Sequence, residues 1–253
     1  MRNSTAEKFF VTAVLILNAA PAAAADRLQG RGVGSGVAYA APNQGTIVNP
    51  ASLVDADDGV SASGLWRFES GTPMISGAAA YQTLGVGAAY RKQGDANVYE
   101  GGFGASLGQM ASLGATVRSI QGGGLDGDLG ASFDFGNLRI AGVARGLSGG
   151  VDRIDAGLGV RFANVVIEGD VKKLWPMDSD AWAFDTSITA SVNKVSVGVG
   201  YDFSRSAGAF QAGDLHAGVS LNVVDKAYLE AHYRLLAQEI GEQDWTAGIR
   251  YVF

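Results

Sequence analysis

Two histidines, His216 and His232, are the groups in this chain best suited to proton chemistry. Asp214, Ser220, Glu230 and Arg234 lie close to them in sequence and share their phase in a period-two pattern. An imidazole beside a hydroxyl and a carboxylate is the raw material of acyl-transfer hydrolysis. Such an enzyme also needs an activated nucleophile and a preorganised oxyanion site. No Gly-x-Ser-x-Gly turn stands between a strand and a helix here. Asp126 and Asp128 have the spacing that opens a calcium loop, but the remaining ligands do not follow. Gly122-Gly123-Gly124 lacks the lysine of a phosphate loop. The chain has no cysteine, which excludes thiolate metal sites and a disulfide framework. The expectation is therefore a polar cluster of Asp214, His216, Glu230, His232 and Arg234 that braces a buried surface, with no catalytic residue, no metal and no organic cofactor.

What must position these residues is legible in the alternation. In the last segment Trp245, Ala247, Ile249, Tyr251 and Phe253 fall on one face, and Asp244, Thr246, Gly248 and Arg250 on the other. Side chains of a strand alternate in this way. The pattern repeats over about fourteen segments: 60–69, 73–82, 84–91, 97–107, 110–119, 126–135, 137–145, 151–162, 163–173, 181–192, 193–203, 211–223, 226–235 and 243–253. Twelve strands is the other count the pattern allows. Tight turns are expected at Gly136-Asn137, Ala163-Asn164, Asn193 and Val224-Asp225, and longer connections at 147–150, 174–180, 204–211 and 237–242.

Within the segments the charges, from Arg67 to Arg250 and including Lys194, share the polar face; Asp152 and Lys173 are exceptions at segment ends. A soluble sandwich would turn that face to water. A membrane barrel would turn it to the lumen, because Arg or Lys facing lipid at mid-depth costs ~2–4 kcal/mol. Charged residues are only 17% of the chain, and mean hydropathy is positive. Residues 1–25 read as a secretory signal: Arg2 and Lys8, an apolar stretch from Phe9 to Ala20, and small residues up to a cleavage point near Ala25. Together these predict an all-β transmembrane antiparallel barrel over residues 59–253, in a bacterial outer membrane, contacting outer-membrane lipid. A net charge of −6 argues against a nucleic-acid partner. Trp245, Ile249, Tyr251 and Phe253 are the expected C-terminal signal for barrel-assembly machinery.

Residues 26–58 precede the first strand and are glycine-rich. Fourteen strands leave a lumen to fill, and this segment is the candidate plug. Gly34, Gly36 and Tyr39, followed by Asn49-Pro50-Ala51-Ser52-Leu53, resemble the N-terminal hatch of FadL-type outer-membrane proteins, a family of long-chain fatty-acid and aromatic-hydrocarbon transporters. The resemblance is sharp over residues 34–53 and architectural beyond. It implies a fourteen-stranded barrel, passive uptake of a hydrophobic small molecule, and an exit sideways through a gap in the wall. The chain departs from the family in being shorter, with outer loops of a few residues. Related barrels serve secretion and surface assembly, so a structural or escort barrel is the alternative, and a lumen hydrolase the third reading.

Overall fold

The computed structural model describes residues 36–41, 44–55, 59–68, 71–93, 95–174, 181–206, 209–224, 227–235 and 243–252. The expected signal segment, Gly34 and Phe253 lie outside them. Fourteen strands form one closed antiparallel barrel: β1 (Val60–Arg67), β2 (Thr72–Tyr81), β3 (Leu84–Gln93), β4 (Ala96–Leu107), β5 (Ala111–Ile120), β6 (Leu125–Phe135), β7 (Leu138–Arg145), β8 (Arg153–Phe162), β9 (Val165–Leu174), β10 (Trp182–Val192), β11 (Val195–Ser206), β12 (Ala209–Val224), β13 (Ala227–Leu235) and β14 (Gln243–Val252). Each strand pairs with its sequence neighbours, and β1 closes the ring on β14 from Ser61↔Val252 to Arg67↔Thr246. Closure removes the unpaired edge that an open sheet would expose to lipid.

One end of the barrel is made of short turns. Gln82, Ala163 and Asn193 take φ of 54°, 50° and 52° there, and Gly136 takes 77°. Two-residue hairpins need this left-handed backbone to match the twist of their strands. The opposite end carries longer connections at 146–152 and 175–181. The expected loop at 204–211 is corrected: β11 runs on to Ser206 and β12 begins at Ala209, so the hairpin is sheet almost to its tip. Phe203, Phe210 and Phe184 pack there, with Phe184 and Phe203 stacked at 4.8 Å, and the packed rings hold the extended ladder together.

The two faces have inverted polarity. Val86, Phe103, Val117, Leu158, Val199 and Ile249 are exposed outside. Arg91, Glu100, Arg118, Asp128, Asp155 and Asp185 are buried inside. An apolar exterior around a charged interior is the arrangement lipid demands. Lys194 departs from expectation, because it sits exposed in the turn between β10 and β11. Lys173, next to a segment end, is buried, with its ammonium 4.5 Å from the Trp182 ring centroid.

Candidate functional site: the lumen and the segment inside it

Residues 36–41 and 44–55 lie inside the barrel. Ile47, Asn49, Ala51 and Leu53 have no exposed surface. The segment folds on itself first. Gln44 O accepts from the N–H groups of Ile47 and Val48, both at 2.9 Å. Asn49 joins two passes of the chain: Nδ2 donates to Val37 O at 2.9 Å and Oδ1 accepts from Ala51 N at 3.0 Å. A 3-10 helix, Pro50–Asp55, follows. Pro50 suits its first position, since proline presets the helical φ and has no N–H to leave unpaired.

The wall then holds the segment by charge. On β9, Glu168 accepts from the N–H groups of Gly36, Ala38 and Tyr39 at 2.8, 2.7 and 3.0 Å. Asp170 accepts from Val37 N at 3.1 Å. Successive backbone N–H groups form a concave donor set suited to an anion, and such charge-assisted bonds are stronger than neutral ones. On β7, Arg145 donates to Ile47 O at 3.2 Å and Val48 O at 2.5 Å. Asp128 and Asp155 hold that guanidinium at 2.9 and 2.5 Å. Arg139 grips Asp55 with two bonds of 2.7 and 2.9 Å. Tyr39 lies under Arg161 at 4.6 Å and Arg139 at 5.6 Å from its ring centroid. Burial raises the Tyr39 phenol above the ordinary tyrosine value, with the Arg161 charge opposing.

Shape and apolar contact complete the fit. Gly85, Gly104, Gly114 and Gly130 stand on the inner faces of β3 to β6. A methyl group at Gly104 would sit 2.9 Å from Pro50 O, and one at Gly130 2.8 Å from Pro50 Cδ. At Gly85 and Gly114 it would collide with the backbone of Leu53 and Pro50. The glycines let the 3-10 helix lie directly on the sheet. Ala141 and Val143 pack against Val37, Ala38 and Tyr39, and Ala89 packs against Ala40, Ile47 and Val48. The wall turns apolar residues inward where they meet the plug.

The half of the lumen formed by β10 to β14 is chemically different. Asp214 pairs with Arg234, and Arg234 also lies 3.6 Å from Asp202. His216 Nε2 is 3.5 Å from both Asp185 Oδ1 and Asp202 Oδ1. Glu230 instead binds Arg250 at 2.8 Å. The predicted cluster thus divides into Asp214, His216 and Arg234 on one side and Glu230 with Arg250 on the other. His232 lies on β13 opposite Gly218, one inward position from Arg234. Asp185 and Asp202 were missing from the sequence-derived set. Their signal was present: both are inward residues, and they are register partners across β10 and β11.

The implied gap in the wall is not seen as a break between strands among the described residues. Register shifts occur between Tyr201 and Phe203 and between Asn222 and Val224. The outer wall instead has a recess of about 530 Å³ around Gly169, lined by Leu158, Ile167, Ile188 and Val199. Trp245, Ile249 and Tyr251 face outward on β14, and the Tyr233 and Trp245 rings lie 4.6 Å apart.

No protein-family model matches the chain, and no curated protein sequence does. Solved structures do match in fold. The Pseudomonas putida toluene transporter TodX is 12% identical with a TM-score of 0.64, over 87% of this chain and 96% of that one. The CymD monoaromatic hydrocarbon channel is 11% identical with a TM-score of 0.62, over 87% and 94%. The Acinetobacter baumannii outer membrane protein Omp33 is 12% identical with a TM-score of 0.57, over 77% and 97%. At these identities the likeness is one of fold, and the chain is a closed fourteen-stranded transmembrane-type β-barrel.

Proposed function

We propose that the chain is an outer-membrane barrel of FadL-like type that admits a hydrophobic small molecule, of fatty-acid or hydrocarbon kind, past an N-terminal plug. Residues 1–25 direct export, residues 26–58 close the lumen, and residues 59–253 span the membrane. The last strand, ending in Phe253, is what barrel-assembly machinery reads. The observation that carries the proposal is the docking of residues 36–41 and 44–55 on Glu168, Asp170, Arg145 and Arg139. A segment held by hydrogen bonds and ion pairs can detach and return without covalent chemistry. The fold shared with the toluene transporter and the monoaromatic hydrocarbon channel is consistent with the proposal.

The test has two arms. Deleting residues 27–47 should leave a heat-modifiable barrel and raise ion conductance in planar bilayers from near zero to a stable open level. Radiolabelled toluene and oleate should enter cells bearing the intact barrel faster than cells without it. Unchanged conductance would refute the plug, and equal uptake of both probes would refute the cargo. The escort reading draws on the outer connections, of which 94–95 and 207–208 are only two residues long. A stoichiometric protein partner on purification, with no bound lipid or hydrocarbon, would favour it.

A further inference from the structure

We propose that Asp185, Asp202 and His216 form a binding site for a divalent transition-metal ion in the lumen, a site the sequence alone did not anticipate. One ligand atom from each residue lies within 4.8 Å of the other two. His216 Nε2 stands 3.5 Å from each carboxylate oxygen. Ligand atoms at ~2.0–2.2 Å around a tetrahedral metal are themselves ~3.3–3.6 Å apart, so the two imidazole–carboxylate spacings suit two edges of such a site. A proton suits it less well. A single Nε2–H points in one direction, and 3.5 Å exceeds the ~2.7–3.2 Å of an N–H···O bond.

Independent features show that the site is built. His216 Nε2 and Asp202 Oδ1 are both buried atoms with no hydrogen-bond partner among the described residues, a costly state unless something else satisfies them. Each carboxylate uses its two oxygens differently. Asp185 directs Oδ2 to Lys172 at 4.0 Å and Asp202 directs Oδ2 to Arg234 at 3.6 Å, while both present Oδ1 to the imidazole. Partners of this kind orient metal-binding carboxylates from behind. The ring rests on Gly200, where a methyl group would sit 2.6 Å from Nε2. A bulge in β12, where Gly213 and Asp214 together face Asp202, sets the local geometry; bulges re-aim side chains in this way. Asp214 takes the charge of Arg234. One imidazole with two carboxylates is a donor set that suits zinc, cobalt or manganese. The His216 side chain as a whole keeps 30% exposure.

The experiment uses the full barrel in detergent with Co²⁺ as probe. One Co²⁺ should bind per chain with a visible d–d band, and Zn²⁺ should displace it. His216→Ala and Asp202→Asn should each weaken binding by at least the roughly 10- to 100-fold that loss of an outer-shell partner costs, with heat-modifiable migration retained. Asp134→Asn, in a different part of the lumen, should bind as before. Zn²⁺ should also slow diethyl pyrocarbonate modification of His216 in the unaltered protein, a readout needing no variant. Absence of the band, affinity in the two variants unchanged from the unaltered protein, or no protection of His216 would each overturn the proposal. None of these readouts depends on transport.

Discussion

Glu168 is where the plug is most open to perturbation. Its carboxylate accepts three N–H groups from Gly36, Ala38 and Tyr39, all buried. In Glu168→Ala those donors lose their acceptor, and each buried donor left unpaired costs ~1–3 kcal/mol. The sum is not the net effect. Removing the carboxylate also removes the several kcal/mol spent on taking a charge out of water, and detaching the segment lets water satisfy the donors. A net loss of about 2–4 kcal/mol in docking is the reasoned figure, or roughly 30- to 1000-fold in the docked-to-detached ratio. The absence of cysteine provides the assay. Ser52→Cys places one thiol at a position only 2% exposed. Maleimide labelling of that thiol in lipid vesicles should accelerate by the same factor when Glu168→Ala is added. Glu168→Gln, which keeps an acceptor oxygen without the charge, should fall between. Equal labelling rates in all three proteins, with the barrel intact, would mean that the carboxylate does not hold the segment.

Gly114→Val should displace the 3-10 helix and raise labelling of the same thiol, whereas Gly101→Val, which meets open space outside, should not; equal behaviour would refute the glycine seat. Val199→Arg, near the middle of β11 on the apolar face, should destabilise the barrel by ~2–4 kcal/mol in urea titrations in lipid, and Val199→Leu should not. Docking raises the Tyr39 phenol, so the docked state favours the neutral form: its contribution is complete below the ordinary tyrosine value and is lost as pH rises from that value through the raised one. Conductance should therefore increase as pH rises above the ordinary tyrosine value of about 10, and Tyr39→Phe should abolish that increase.

Much of the barrel follows from local chemistry. Alternation decides which residues face lipid, because one side chain in two points each way along a strand. It places Trp245, Ile249 and Tyr251 outside and His216 and Arg234 inside with no knowledge of strand partners. The short turns are equally local, since a two-residue hairpin asks only for left-handed backbone. Aromatic packing of Phe184, Phe203 and Phe210 is not local, and it turned an expected loop into extended strands. The lumen is less legible again. Which acid meets which base depends on register around the ring, so Glu230 found Arg250 on β14 rather than the histidines. Asp185 and Asp202 reach His216 only because three strands and a bulge align. The plug is the clearest case. Asn49-Pro50 announces a turn by itself, but the seat of glycines on β3 to β6 and the carboxylates on β9 come from residues far along the chain. Their complementarity exists only in the closed barrel, because closure brings opposite walls to the same segment.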